Sequence, residues 1–403
     1  MTLPHRSVSR ATATSILIGA LTIGAVVAPA SAQITQTTDA TTGVAYVALG
    51  DSYAAGLGID PVSDFPVSGC AQSELNYPRL IAAQLSLHLT DVTCSAAETK
   101  NLISTEQNPG GGTAAVQTDA LTDETRVVTI TIGGNDLGFI ALASSCLALT
   151  RQGPILTTGE ANCREDFESS GTTFDEKIAD LVGTSATADS GLTAVFARVK
   201  EKAPNADVFV VGYPSIMPDA ANTPEDGCYR ADLKAESIAS IRIEDGFPFT
   251  DTDVEFIRSV QEDLDAATAE ATKAAGFTYV STLAATAAHS ACQTDGTAYV
   301  NGLGFSSDEQ HNITMPPGAL HPNEAGEAFL AATTVPLIEK ALQPAWKTRI
   351  GADEAVLANV EVETQKRPDQ DQQAMYGRLG QDLWKNAAGF TVDFRSMRFR
   401  LDN

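Results

Sequence analysis

Val44-Ala45-Tyr46-Val47-Ala48-Leu49-Gly50-Asp51-Ser52-Tyr53-Ala54-Ala55-Gly56 is the stretch on which the fold turns. A short run that is apolar on both faces predicts a strand buried from either side. A small-residue turn follows it, with Asp51 and Ser52 placed where a helix would begin. A serine at such a junction lies beside backbone N–H groups that have no partner within the helix. That setting suits an acyl-accepting nucleophile, although a capping serine has the same local signature.

Two later pieces share this logic. Val127-Val128-Thr129-Ile130-Thr131-Ile132 reads as a second buried strand and ends in Gly133-Gly134-Asn135-Asp136. His321-Pro322-Asn323 opens an Ala- and Leu-rich helical stretch over 323–344, with proline at a position favoured in a first helical turn. Further strands are predicted at 207–212 and 277–281, and a weaker one at 90–94. Helices are predicted at 75–87, 190–203 and 251–275. Alternating strands and helices predict a parallel sheet covered on both faces, a three-layer α/β/α sandwich of flavodoxin-like order. Ligands in such sheets bind beyond the carboxyl ends of the strands, where Ser52 and Asn135 both fall. Residues 146–190, 214–250 and 283–322 read as irregular segments, the first as a long surface insertion.

The flanks differ from this body. Arg6 and Arg10, an apolar stretch from Ile16 to Val27, and Ala30-Ser31-Ala32 read as a Sec-type signal peptide over 1–32. A polar leader follows over 33–42. Residues 346–403 form a C-terminal extension of unassigned role. Of the formal charge of −25, residues 33–345 carry 15 Lys/Arg against 42 Asp/Glu, and residues 346–403 carry 9 against 9. So acidic a body argues against nucleic acid as a partner, which requires clustered cations. In the extension, Phe394, Arg395, Arg398, Phe399 and Arg400 alternate apolar with basic. That pattern fits either a β-strand or a peripheral contact with the cell envelope.

Six cysteines, Cys70, Cys94, Cys146, Cys163, Cys228 and Cys292, form no Cys-x-x-Cys pair. In an exported chain they favour disulfides over a metal site, while their pairing stays open. No Gly-x-Ser-x-Gly elbow, Ser-x-x-Lys, His-Glu-x-x-His, Walker or EF-hand pattern occurs. No cofactor or metal is therefore expected, and a monomer is.

Gly50-Asp51-Ser52, Gly133-Gly134-Asn135-Asp136 and His321-Pro322-Asn323, in this order, resemble the SGNH (GDSL) esterase/lipase family, and its secreted actinobacterial members above all. The resemblance covers residues 43 to 345 and stops short of the extension. It implies Ser52 as nucleophile and His321 as base, with His311 the main rival and His289 structural in a His-x-x-Cys feature. It implies an oxyanion hole from the N–H groups of Ser52 and residue 96 and the Asn135 amide, with Gly50, Asp51, Gly133, Gly134 and Asp136 supporting those loops. It also implies the sequential disulfides Cys70–Cys94, Cys146–Cys163 and Cys228–Cys292.

Two positions depart from the family pattern. Residue 96 is alanine where the family has glycine. Residue 318, three before the histidine, is glycine where most members carry the aspartate that orients the base. A Ser–His dyad oriented by the Gly318 backbone carbonyl is therefore expected, with Asp308 or Glu309 as the alternative. The implied function is a secreted serine esterase or lipase acting on acyl esters of lipids or of acylated glycans. An envelope acyltransferase using the same acyl-enzyme, and an inactive cell-surface binding protein, are the rival readings.

Overall fold

A computed structural model describes residues 43–349, except 156–157, 170–172, 232–241, 244, 295 and 308–312. The expected signal peptide, leader and most of the C-terminal extension lie outside the described residues, as do Asp308, Glu309 and His311.

Five parallel strands form the central sheet: β1 (Ala45–Gly50), β2 (His88–Asp91), β3 (Val127–Thr131), β4 (Asp207–Val211) and β5 (Thr278–Val280). Their order is β2-β1-β3-β4-β5, the flavodoxin-like order. β1 pairs with β2 on one side, Ala45 opposite His88, and with β3 on the other, Gly50 opposite Thr131. The strand order reverses between β1 and β3, so the crevice for a ligand opens where these two strands end.

Alternation along the strands sorts the core into two layers. Val47, Leu49, Val128, Ile130, Val208 and Val210 pack against helix α8 (Leu192–Lys202) and Leu264 of the long helix α9 (Asp251–Ala274). Tyr46, Ala48, Phe209 and Val211 pack on the other face against α2 (Tyr77–Leu85) and α10 (Glu324–Arg349). The result is the α/β/α sandwich. α10 runs unbroken through position 345, where the sequence reading placed the end of the core.

A third apolar cluster joins Phe139 and Leu142 of α5 (Phe139–Ser145) and Ile216, Phe247, Phe249 and Leu320 of the connecting segments to Phe256 and Val260 of α9. Two disulfides, Cys146–Cys163 and Cys228–Cys292, are embedded in it, and Cys70–Cys94 packs with Ala114. The pairing is the one implied by the family resemblance.

The insertion at 146–190 is not simply irregular. It holds α6 (Cys163–Ser169) and α7 (Phe174–Val182). Thr173 and Glu176 form a reciprocal capping box at the start of α7. Phe167 and Phe174 stack at 4.0 Å between ring centres, with Phe256 of α9 edge-on to Phe174. Burial of these rings overrides a local composition rich in Gly, Thr, Ser and Asp.

Candidate active site

The turn after β1 is locked from several directions. Gly50 exchanges both of its backbone polar groups with one buried side chain: its N–H donates to Gln117 Oε1 at 2.7 Å, and Gln117 Nε2 donates to its carbonyl at 2.9 Å. Asp51 caps the four-residue helix α1 (Ser52–Ala55), its Oδ1 accepting from the Tyr53 N–H at 3.0 Å. Its Oδ2 accepts from the Tyr213 hydroxyl at 2.5 Å. Burial pushes the Asp51 carboxyl up to about 7, while the bonds from Tyr213 and Tyr53 oppose that rise. Ser52 is the first residue of α1, so its N–H has no partner within the helix.

His321 reaches this serine from 269 positions along the chain. Its Nε2 lies 2.8 Å from Ser52 Oγ. Its Nδ1 lies 2.8 Å from the carbonyl oxygen of Ala319. A carbonyl can only accept, so Nδ1 carries the proton and Nε2 turns its lone pair to the serine hydroxyl. Burial, at 6 % exposure, lowers the imidazole to about 4, only partly opposed by the Ala319 bond. The histidine is therefore neutral near pH 7.

The orienting carbonyl is that of Ala319, not that of Gly318. The Gly318 carbonyl is already engaged in closing the turn, accepting from the His321 N–H at 3.0 Å and from Asn301 Nδ2 at 3.1 Å. Gly318 itself sits at φ +81°, and a Cβ there would stand 3.0 Å from the Leu57 oxygen and 3.2 Å from Gly58 Cα. A side chain at 318 would therefore crowd the neighbouring backbone as well as strain its own. Tyr53 completes the support. Its hydroxyl donates to the Leu320 carbonyl at 2.5 Å, and its ring lies 4.7 Å from the imidazole, centre to centre.

The Gly133-Gly134-Asn135-Asp136 segment folds into the short helix α4 (Gly134–Leu137) at the end of β3. Asn135 Nδ2 donates to the Ala97 carbonyl at 2.9 Å, leaving its second N–H for another acceptor. Asp136 accepts from the backbone N–H and the hydroxyl of Thr99, and so ties α4 to the start of α3 (Thr99–Ile103), the short helix that follows the Cys94 loop. Burial raises its carboxyl, and these bonds from Thr99 oppose the rise. Within that loop Ala96 is exposed and takes φ +64°, a left-handed conformation that costs alanine about 1 kcal/mol more than glycine. Ala96 is not among the residues lining the cleft.

That cleft, open to solvent, is lined by Ser52, Gly134 and Asn135 and by the apolar Phe139, Ile140, Ile216 and Leu264. A second, narrower and more enclosed pocket shares Tyr213, Gln261 and Leu264 with it and does not include Ser52. His289 stands apart, with Nδ1 2.7 Å from the Thr297 carbonyl and its ring stacked on Tyr299. Among the described residues, the sulfurs of Cys146 and Cys163 and the Asp253 carboxylate come within 4.8 Å of one another. Both sulfurs are spent in one disulfide, so no thiolate is present to hold a metal there.

Ser52, His321 and Asn135, singled out in the sequence, are brought to one place. Gln117, Tyr53, Asn301 and Tyr213 were missed there. Each acts through a single long-range hydrogen bond or pair of bonds, which leaves no short motif to find.

The sequence matches the profile of the GDSL-like lipase/acylhydrolase family over residues 48–329. Lipase 2 of Streptomyces coelicolor is 34% identical over 331 residues, covering 81% of this chain and 96% of that protein. An esterase of Streptomyces scabiei is 29% identical over 317 residues, covering 73% and 86%. The crystal structure of an extracellular lipase from Streptomyces rimosus superposes with a TM-score of 0.50 at 22% identity, covering 74% of this chain and all of that one, and shares its fold. The chain belongs to the GDSL-like lipase/acylhydrolase family and is a carboxylic ester hydrolase.

Proposed function

We propose that the protein is an exported serine esterase or lipase that works through an acyl-enzyme on Ser52, with His321 as the general base. The observation that carries this reading is the 2.8 Å approach of Ser52 Oγ to a neutral His321 Nε2 whose other nitrogen is held by a backbone carbonyl. In this reaction Nε2 takes the hydroxyl proton as Oγ attacks the ester carbonyl. The negative charge that develops on the carbonyl oxygen is met by the Ser52 N–H and the free N–H of Asn135. The Asn135–Ala97 bond supports this arrangement by fixing how the amide is turned. The imidazolium returns its proton to the departing alcohol. Water then enters, gives a proton to His321, and releases the acid.

Ala319 supplies no charge, so the imidazolium is stabilised by one neutral acceptor and by the nearby oxyanion. The apolar cleft wall of Phe139, Ile140, Ile216 and Leu264 favours an ester with an apolar acyl group, a lipid more than an acetylated glycan. Three disulfides and the signal-peptide pattern support export. So does the extracellular lipase from Streptomyces rimosus that shares the fold. The test is covalent labelling by a fluorophosphonate. Labelling and turnover of 4-nitrophenyl butyrate should both vanish in Ser52→Ala, and turnover should vanish in His321→Ala. Label retained in Ser52→Ala would place the nucleophile elsewhere.

A further inference from the structure

We propose that Tyr213 is a positioning residue for the oxyanion hole, a clamp that sets the spacing between the Ser52 and Asn135 donors. The inference rests on the serine-esterase reading above.

Tyr213 lies just past the end of β4, on a segment distinct from both loops that it joins. Its hydroxyl donates to Asp51 Oδ2 at 2.5 Å and accepts from the Gly134 N–H at 2.9 Å. A backbone amide can only donate, so the phenol oxygen accepts from Gly134 and its own proton points to Asp51 Oδ2. The two partners are the residues immediately before Ser52 and immediately before Asn135. One oxygen atom therefore fixes the separation of the two turns that carry the oxyanion donors.

Three further contacts make the clamp rigid. The residue at 134 is glycine, and a Cβ there would meet Tyr213 Oη at 3.3 Å and Cζ at 3.4 Å, so the ring seats directly against the backbone of α4. The Tyr213 ring stands edge-on to Tyr53 at 4.9 Å, and Tyr53 in turn holds the Leu320 carbonyl beside His321. Gln261, buried in α9, accepts from the Ile216 N–H at 3.1 Å and donates to the Pro214 carbonyl at 2.7 Å, fixing the chain that follows Tyr213.

An oxyanion hole acts only if its donors stand where charge develops, and a shift of a fraction of an ångström weakens it in the transition state while leaving ground-state binding intact. Tyr213→Phe keeps the ring and deletes both bonds. With 4-nitrophenyl butyrate, kcat should fall roughly tenfold, less than the factor of about 10² to 10³ for losing a donor outright. KM should stay within about twofold of wild type, because the acyl group still meets the same wall. The inhibition constant of butylboronic acid, whose tetrahedral adduct on Ser52 presents an oxygen to the hole, should rise by the same factor as kcat falls. Active sites are counted by fluorophosphonate titration, so misfolded protein does not mimic the effect.

Unchanged kcat and boronate affinity per titrated site in Tyr213→Phe would overturn the proposal. So would a loss confined to KM. Gly134→Ala, which presses a methyl group against the phenol oxygen, should give the same split between kcat and KM, and it decides the matter where Tyr213→Phe does not fold. A wild-type enzyme left unlabelled at Ser52 would instead overturn the serine reading and this inference with it. A labelled wild type with an unaffected clamp variant removes the inference alone.

Discussion

His321 should remain neutral, and competent as a base, to far lower pH than an imidazole paired with a carboxylate. The perturbation is acid. The His321 ring is buried and its Nδ1 faces a carbonyl, which offers an imidazolium a dipole in place of a charge. Burial takes the group from its ordinary value of 6.5 to about 4. At about 1.4 kcal/mol per tenfold, that is roughly 3 kcal/mol against the charged form. A carboxylate partner would act with the opposite sign and lift the imidazole toward or above 7. The pH dependence of kcat/KM reports the free enzyme, so its acid limb should fall between about pH 4 and 5. The assay is initial-rate hydrolysis of 4-nitrophenyl butyrate from pH 3.5 to 9, followed at the isosbestic wavelength of the nitrophenol product. Asp51, pushed up to about 7, is the group that could add a second limb, and Asp51→Asn separates it. An acid limb above pH 6 that survives in Asp51→Asn would refute the reasoning, since it would mean that a negative side chain reaches Nδ1.

Gly318→Asp, which restores the family's residue, should lower both the melting temperature and kcat/KM. The new side chain must adopt φ +81° at about 1–2 kcal/mol and stand 3.0 Å from the Leu57 oxygen, and a more active variant of unchanged stability would contradict this. Asn135→Ala should reduce kcat by about 10² or more with little change in KM, checked by steady-state kinetics with active-site titration. Folding stability should decline as pH rises from about 5 to 8. Burial raises Asp51, Asp91, Asp136 and Glu327 above their unfolded values, so the folded chain holds protons that the unfolded chain has released. Their contribution is complete at low pH and disappears as pH climbs through the folded values. His321, lowered by burial, has the opposite sign between about 4 and 6.5 and is outnumbered. Melting temperatures that rise across the interval would refute the balance.

The sheet was legible because its strands are locally unambiguous. Ala45–Gly50, Val127–Thr131 and Asp207–Val211 are nearly continuous apolar runs, and only a strand buried on both faces uses such a run. The catalytic candidates were legible because each sits at an element end that its neighbours specify: Asp51 caps α1, and Asn323 accepts from the Gly326 N–H to start α10 just past His321. What escaped was contributed by tertiary burial. α6 and α7 gain their stability from Phe167, Phe174 and Phe256 meeting across about 90 residues of sequence, and only the Thr173–Glu176 pair betrayed α7 locally. The orienting carbonyl was placed one residue early because the bond count of a turn cannot be read from its letters. Gly318 was already taken by the His321 N–H.

The two departures from the family pattern have different physical standing. Glycine at 318 suits its place: its φ of +81° strains any other residue and a Cβ would crowd the Leu57 oxygen and Gly58 Cα, while the turn it makes delivers the Ala319 carbonyl to Nδ1. Alanine at 96 is tolerated: it accepts φ +64° at an exposed position where glycine would sit without strain, and its N–H is kept. The acceptor beside His321 Nδ1 is therefore a backbone carbonyl, whereas the loop at residue 96 has kept its backbone N–H and acquired a methyl group. A loop held in this conformation needs outside support. It receives that from Cys70–Cys94 on one side, and from Asn135 to Ala97 and Asp136 to Thr99 on the other. Reducing that disulfide should accordingly harm turnover before it harms the sheet, because the bridge closes on the loop rather than on any strand of the core.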